Sequence, residues 1–174
     1  MRKLLVIGTN TIHTYNYIDL VSDYFDEIVL ITDSKRQDSN VKSHEVDFRL
    51  RIKNLWRTTK QIRQIANDFS PTYIHIHQAN SVAFFTFRAK LSKRFKTVLT
   101  AWGSDILLVP KMNWLLKKMV QFNLRKAHGL TSDSIFMAHE MVRLIGENRK
   151  ILVANFGINV QPIEIEKENI IYSN

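Results

Sequence analysis

Short apolar runs rich in β-branched residues alternate along this chain with longer segments of helical periodicity, and this alternation constrains the fold more than any other feature. Strands are predicted at Lys3–Gly8, Glu27–Thr32, Glu45–Phe48, Tyr73–His77, Thr97–Ala101, Gly129–Ser132 and Lys150–Ala154. Helices are predicted at Tyr15–Phe25, Lys53–Phe69, Ser81–Lys93, Met112–Ala127 and Ile135–Ile145. Strands this apolar are typical of a sheet covered on both faces, and their alternation with helices indicates βαβ units. The sequence therefore predicts an α/β fold, a Rossmann-like parallel sheet with helices on both faces.

The composition excludes several classes of protein. The chain has 174 residues, of which 45% are hydrophobic, so it suits one domain with a buried core and is too apolar for a disordered chain. It has no cysteine, which excludes disulfides, thiolate metal sites and a cysteine nucleophile. The apolar run after Met1 stops at Gly8, too early for a signal peptide, and no run approaches the length of a membrane span.

The positive charge is concentrated in the middle of the chain. The formal net charge is +9, and Asp105 is the only acidic residue between Asp68 and Asp133. The basic residues of that interval are Arg88, Lys90, Lys93, Arg94, Lys96, Lys111, Lys117, Lys118, Arg125 and Lys126. Such a field attracts anionic lipid headgroups, nucleic acid or nucleotide sugars. The alternative is a solvated basic surface that keeps the protein soluble.

A predicted strand runs directly into the loop Trp102-Gly-Ser-Asp105. Glycine permits a tight turn or a close approach to a ligand, and ligands of open parallel sheets bind just past the carboxyl ends of the strands. Asp105 is therefore a candidate to bind a ligand hydroxyl, or else a cap of a short helical turn at Ile106–Leu108. The indole of Trp102 either stacks on a sugar ring or closes the core.

Three histidines lie near predicted strand ends. His13 is predicted in the loop between the first strand and the first helix, where an imidazole can bind a hydroxyl or phosphate, or it is an ordinary surface residue. His75 and His77 alternate and so share one face of their strand. This spacing occurs in metal sites, but no third ligand lies nearby in the sequence. We therefore predict that His75 is buried and hydrogen-bonded and that His77, nearer the strand end, binds a ligand.

Several common enzyme motifs are missing from the sequence. It contains no Walker A loop, no Gly-x-Gly-x-x-Gly after the first strand and no Gly-x-Ser-x-Gly elbow. This argues against a P-loop NTPase, a typical dinucleotide enzyme and an α/β-hydrolase. These absences leave open a basic, non-catalytic α/β module that binds nucleic acid or anionic lipid.

Five segments, in order, resemble the N-terminal domain of a retaining GT-B glycosyltransferase of the type that builds bacterial cell-surface polysaccharides and lipopolysaccharide. They are Gly8–Thr14, Tyr73-Ile-His-Ile-His77, Thr100-Ala-Trp-Gly-Ser-Asp-Ile106, Leu130-Thr-Ser-Asp-Ser134 and Lys150–Asn159. The sequence also departs from the family pattern. The first loop has one glycine instead of two, Phe156 separates Asn155 from Gly157, and Asn159 stands in place of the usual Asp.

The resemblance implies an acceptor-binding domain over residues 1–160, followed over 161–174 by a linker and the start of a truncated donor-binding domain. It implies that Asp105 is catalytic and that the acceptor is bound by a set of loop residues: Thr9, Asn10, His13, His77, Trp102, Gly103 and Ser104. Asn155 and Gly157 would face the donor side. The expected partners are a nucleotide-sugar donor, held mainly by the missing domain, and a glycan or lipid-linked acceptor. No metal, no other cofactor and no nucleic acid are implied, and the fragment alone is expected to be inactive.

The predicted helix Met112–Ala127 carries a membrane signal. On a helical wheel, Trp114 falls among Lys117, Lys118 and Arg125, opposite the apolar side formed by Met112, Leu115, Leu116, Met119, Val120 and Phe122. An indole among lysines suits a membrane interface with anionic lipid. The alternative is that Trp114 covers a neighbouring loop and the lysines are merely solvated. With a lipid-linked acceptor, the membrane interpretation predicts a cytoplasmic protein, peripheral on the inner face of the cell membrane.

Overall fold

The computed structural model describes residues 1–154 as seven parallel strands and seven helices. The strands are β1 (Lys3–Ile7), β2 (Glu27–Thr32), β3 (Lys42–Glu45), β4 (Tyr73–His77), β5 (Lys96–Thr100), β6 (Gly129–Ser132) and β7 (Leu152–Val153). The helices are α1 (Ile12–Val21), α2 (Ile52–Phe69), α3 (Ser81–Arg88), α4 (Ser104–Leu107), α5 (Val109–Met112), α6 (Trp114–Lys126) and α7 (Ile135–Ile145), with 3₁₀ turns at Ser22–Tyr24 and Leu91–Lys93. The strand order is β3-β2-β1-β4-β5-β6-β7. No helix of the described part is long and apolar enough to cross a bilayer.

Helices cover both faces of the sheet. Leu4 and Val6 of β1 pack with Tyr15, Tyr17 and Ile18 of α1 on one face. The alternate residues of β1, β2, β4 and β5 pack on the other face in a larger cluster with residues of α2, α3, α6 and α7. Because the side chains of a strand alternate between faces, each strand of this sheet has to be apolar along its length, as the sequence shows. The predicted Rossmann-like α/β fold is confirmed.

The third strand is the largest departure from the predicted elements. It is Lys42–Glu45, not Glu45–Phe48, and it pairs with Val29–Thr32 of β2. Val46 adds one further bond, from its backbone N–H to the Thr32 carbonyl at 2.8 Å. Val46 and Phe48 are buried in the core cluster with α2 and not paired in the ladder, so tertiary packing explains their apolar character.

Several helix ends also differ, because single capping residues decide them. α1 starts at Ile12, where the Thr11 hydroxyl accepts from the Thr14 N–H at 3.4 Å. α6 starts at Trp114 because the Asn113 side chain accepts from the Leu116 N–H at 2.9 Å. α3 ends at Arg88, and a left-handed Lys90 separates it from the 3₁₀ turn that follows.

The last helix matches its predicted bounds. Ser134 caps its start, because the Ser134 hydroxyl accepts from the Met137 N–H at 3.3 Å. Gly146 ends the helix with φ of +76°, as expected of a residue just past a helix C-terminus.

Candidate functional site

The loops that follow β1, β4 and β5 lie side by side, because these strands are neighbours in the sheet and all run in the same direction. Thr9 after β1 donates its hydroxyl to Oε1 of Gln78 after β4, at 3.4 Å. The rings of His77 and Trp102 lie 5.3 Å apart, which joins the β4 and β5 loops. The carboxyl edge of the sheet therefore brings together the loop segments that the sequence singled out, as the topology of a parallel sheet requires.

Asp105 is the centre of this arrangement, and it is buried. Its carboxylate accepts the backbone N–H of Ala79 at 2.5 Å and that of Trp102 at 3.0 Å. It lies inside α4, whose cap position is Gly103, so it does not cap the helical turn in the way one alternative supposed. Burial raises the pKa of the Asp105 carboxyl, against the lowering effect of the backbone donors. The side chain thus fastens the β4 loop to the β5 loop.

The side-chain amides of Asn80 and of Asn123, a residue that the sequence analysis did not single out, make further hydrogen bonds at these loops. The buried Asn123 of α6 donates its Nδ2 to the carbonyls of Ala79 at 2.8 Å and Asn80 at 2.9 Å. Asn80 in turn donates to Oε1 of Gln78 at 3.1 Å and caps α3 by accepting from the Val82 N–H. Gln78 adopts a left-handed φ of +76°, a conformation that costs free energy in a residue with a Cβ and is common at binding sites. A polar residue on the apolar side of α6 was the available signal for Asn123.

His77 is the unusual residue of the site. It is 1% exposed, and neither ring nitrogen has a hydrogen-bond partner among residues 1–154. Its ring contacts those of Tyr17 at 4.8 Å, His75 at 4.9 Å and Trp102 at 5.3 Å between centroids. Burial, and then the proximity of His75 and His13, lower the pKa of His77 well below its ordinary value. The ring is therefore neutral, with one donor and one acceptor unused, which is costly in a dry environment.

His75, two residues earlier, is satisfied. Its Nε2 lies 2.5 Å from the Thr100 hydroxyl, which lies 2.6 Å from the Thr131 hydroxyl. Burial lowers the pKa of His75 to about 3, and it raises the pKa of Tyr17, whose ring meets His75 edge-on at 4.3 Å, to about 12. The expected buried, hydrogen-bonded His75 is what the structure contains. Within residues 1–154, no group of three or more His, Asp or Glu side chains could hold a metal ion.

The Trp102 ring contacts the rings of His13 and His77. It is 4.9 Å from the ring of His13 and tilted by 36° to it, and it also lies 5.3 Å from the ring of His77. His13 lies in the first turn of α1, not in a loop as expected, because Thr11 starts the helix earlier. His13 is exposed and Trp102 is half-buried, so the pair forms the outer layer over His77. Gly103, with φ of +108°, turns the chain sharply after the indole.

The remaining predicted residues lie at the margin of the site or outside the described chain. Asn10 is exposed, its backbone N–H donates to Asp33 at 2.7 Å, and its side chain donates to Ser34 at 3.1 Å. Ser104 is exposed at the start of α4. Asn155 and Gly157 lie outside the described residues.

The predicted membrane residues have mixed positions. Trp114 is 71% exposed, and Lys117 and Lys118 are exposed beside it. Leu115, placed on the apolar side of the wheel, is 61% exposed because α6 is held to the core only from Leu116 inward. The Arg125 guanidinium donates to the Ile145 carbonyl, so it is engaged at the C-terminus of α7.

Comparison with known proteins agrees with this architecture. The model of a family described as glycosyl transferase 4-like matches residues 3–134. No curated protein sequence matches the chain significantly.

Similar solved structures share the fold at low sequence identity. UDP-GlcNAc 2-epimerase from Methanocaldococcus jannaschii is 12% identical with a TM-score of 0.63, over 87% of this chain and 45% of that one. The Neisseria meningitidis UDP-GlcNAc 2-epimerase bound to UDP-GlcNAc is 9% identical with a TM-score of 0.62, over 88% and 45%. A sucrose-phosphate synthase structure from Thermosynechococcus elongatus is 10% identical with a TM-score of 0.65, over 91% of each chain. The chain thus spans about half the length of the two epimerases.

The described chain forms a seven-stranded parallel sheet, and the family model matches most of the length of the chain, residues 3–134. The chain belongs to the glycosyl transferase 4-like family.

Proposed function

We propose that this chain is the acceptor-binding half of a two-domain glycosyltransferase that transfers a sugar from a nucleotide-sugar donor to a glycan or lipid-linked acceptor in cell-surface polysaccharide synthesis. The observation that carries the proposal is His77, a buried imidazole with two unpaired nitrogens at the carboxyl edge of the sheet. Family membership supplies the reaction class. The structural relatives include an epimerase bound to UDP-GlcNAc, which supports a nucleotide-sugar donor for the assembled enzyme.

In the proposed reaction, a hydroxyl oxygen of the acceptor bonds to the anomeric carbon of the donor as the bond from that carbon to the diphosphate oxygen breaks. The electron pair of that bond leaves with the diphosphate, and the proton of the acceptor hydroxyl is released. The contribution of this half is to hold the acceptor hydroxyl in line, which removes much of the entropic cost of bringing two reactants together. A neutral His77 is suited to accept from one sugar hydroxyl and donate to another. Trp102 and His13 offer ring surfaces for the apolar face of a sugar.

The assignment of Asp105 as the catalytic group stays a prediction. Its burial and its two backbone donors favour a positioning role, in which the carboxylate fixes the separation between the loops that carry His77 and Trp102. Thr9, Gly103 and Ser104 are proposed to contact the acceptor through the loop backbone and hydroxyls.

NMR titration of the 174-residue chain tests the acceptor site. Methyl glycosides of glucose, galactose, mannose and N-acetylglucosamine serve as probes, and UDP serves as the comparison. We expect at least one glycoside to shift the His77 ring nitrogens and the Gly103 amide of the unchanged chain, and the shift of the Gly103 amide to be lost in His77→Phe. Shifts caused by UDP alone, or no shift at these loops with any glycoside, would contradict the assignment.

The membrane part of the proposal rests on α6. Exposed Trp114, Lys117 and Lys118 favour reversible docking to anionic lipid, where each basic residue contributes roughly 1 kcal/mol, and this would place the protein on the inner face of the cell membrane. In liposome co-sedimentation, binding should require anionic lipid, weaken with added salt and fall when Trp114 and both lysines become alanine. Equal binding to neutral and anionic vesicles would count against it.

A further inference from the structure

The start of α2 presents a second apolar and basic surface, which no part of the proposed function uses. Ile52 is 86% exposed and Trp56 is 80% exposed. We call this surface the α2 patch, and its residues are Leu50, Arg51, Ile52, Lys53, Trp56, Arg57 and Lys60. All of them are exposed. Large apolar side chains this exposed, next to one another and rimmed by charge, mark an interaction surface.

Hydrogen bonds on the buried side of α2 keep the patch side chains pointing into solvent. The buried Asn54 donates its Nδ2 to the Arg49 carbonyl at 2.9 Å, and the buried Thr58 donates its hydroxyl to the Asp47 carbonyl at 2.7 Å. These bonds hold the rotation of α2 against the preceding loop. Ile52 and Trp56 are one turn apart and therefore lie on the same exposed side.

The charge of the segment that carries the patch is of one sign, although Asp33, Glu45 and Asp47 line the groove beside Leu50 and Arg57. Between Phe48 and Asn67 the sequence has six basic residues and no acidic one. Arg49 is paired with Asp47 at 2.7 Å, and Arg63 donates to the Ala89 carbonyl at 3.1 Å. Within residues 1–154 the other four form no ion pair, namely Arg51, Lys53, Arg57 and Lys60. Unpaired cations around an exposed indole and isoleucine complement an anionic lipid surface.

The α2 patch lies on the same side and edge of the molecule as Trp114. The helices α2, α3 and α6 belong to one layer, and α3 packs against both of the others. Helices that connect parallel strands run antiparallel to them, so Trp56 and Trp114, both near the start of their helices, lie toward the carboxyl edge. With α3 between them, their helices are about 20 Å apart at ordinary packing distances.

A groove connects the patch with that edge. It has a volume of about 750 Å³, and its walls include Leu50 and Arg57 of the patch together with Asp33, which follows β2, and Ser81, which starts α3. The groove therefore extends from the patch to the residue that follows β2 and to the start of α3.

We infer that the α2 patch is a second contact with an anionic bilayer, which together with the start of α6 sets the carboxyl edge of the sheet toward the membrane. Two contacts about 20 Å apart restrict tilt, whereas one contact leaves the domain free to roll. The inference rests on the membrane part of the proposed function, but it concerns different residues and is tested separately.

The experiment compares four forms of the 174-residue chain on vesicles of phosphatidylcholine with and without phosphatidylglycerol. The forms are the unchanged chain, Ile52→Ser with Trp56→Ala, Trp114→Ala, and Tyr24→Ala. Tyr24 is an exposed aromatic that follows α1 on the opposite face, and it serves as the matched control. Circular dichroism checks that each form is folded. Quenching of Trp56 by brominated lipid is measured in a form with Trp102→Phe and Trp114→Phe.

We expect the α2 variant to lose about five- to tenfold in partitioning onto anionic vesicles, Tyr24→Ala to lose nothing, and Trp56 to be quenched. Unchanged binding of the α2 variant would overturn the inference and leave the α6 contact standing. Loss in the α2 variant with none in Trp114→Ala would support the α2 contact and overturn the α6 part. No binding by any form would overturn both. A dimer in light scattering that the α2 variant abolishes would assign the patch to a second copy and overturn the inference.

Discussion

The two histidines of strand β4 differ in whether their buried rings are hydrogen-bonded. His75 is paired through Thr100 to Thr131, so its burial is compensated. His77 is buried as well, but neither of its ring nitrogens has a hydrogen-bond partner in the part of the chain that the structure describes. A buried imidazole without hydrogen-bond partners lowers the stability of the ligand-free protein. Residues that reduce stability in this way are expected at functional sites. The residue that weakens the fold is therefore the residue best suited to a ligand.

His77→Phe tests this relation. Removing two unpaired nitrogens from a buried ring should raise the free energy of unfolding by about 1 kcal/mol, as measured by urea denaturation. His75→Phe is the matched control, and it should lower that free energy by about 1 kcal/mol because the Thr100 hydroxyl loses a partner. An equal loss in both variants would mean that His77 makes bonds in solution that this structure lacks.

At the scale of elements, the site depends on how α4 joins β5. The chain leaves the strand through Trp102, turns at Gly103 and enters a helix of four residues, Ser104–Leu107. Asp105, inside that short helix, reaches back to the backbone of two loops. The position of Trp102 thus depends on one glycine conformation and one carboxylate.

Gly103→Ala should lower the free energy of unfolding by about 1–2 kcal/mol, measured by urea denaturation. A Cβ there meets nothing within 4 Å, so the whole cost comes from the φ of +108°. Gly129→Ala is the control, because its Cβ would make ordinary contact with Val98 at 3.5 Å and its φ is not positive. Equal tolerance of both alanines would show that the loop relaxes without strain.

Asp105→Asn should cost about 1–3 kcal/mol of unfolding free energy, because the new amide turns an N–H₂ toward a backbone N–H and leaves a buried donor unpaired. Because Asp105 is buried, we expect its replacement to lower the stability of the fold as well as to affect binding. If Asp105→Asn leaves the free energy of unfolding in urea and the Tm unchanged, Asp105 is better interpreted as a free catalytic group.

For the whole molecule, the neutral histidines at the centre of the sheet couple folding to pH. The folded-state pKa of His75 is about 3, and that of His77 is also well below 6.5. The unfolded chain therefore takes up these protons first as the pH falls. The stability that this difference contributes is complete above about pH 6.5 and is lost progressively toward pH 3. The Asp105 carboxyl, whose pKa is raised by burial, acts in the opposite direction.

The free energy of unfolding, measured in urea at pH 7.5, 6.0 and 5.0, should fall below pH 6.5 by about 1.4 kcal/mol per pH unit for each buried histidine. In His77→Phe the slope should be about half as steep. A stability that stays flat down to pH 5 would mean that the histidines are charged or hydrated in the folded protein.

The sequence by itself determined the order and type of the longer elements and the loops that meet at the carboxyl edge, but not the short helices α4 and α5. Strand runs such as Leu4–Ile7 and the caps Ser134 and Gly146 are local signals, readable from a few adjacent residues. Given parallel strands, the meeting of the loops follows from topology alone.

Only the tertiary structure decided what each side chain at that edge does. Asp105 is engaged by Ala79, 26 residues away, and Arg125 by Ile145, 20 residues away. The apolar residues Val46 and Phe48 predict a strand in the sequence, but in the structure they are buried by packing with α2. The lack of partners at His77 depends on every neighbour that surrounds it. Hydrogen bonding and burial between distant residues are properties of the packed chain, and no window of sequence contains them.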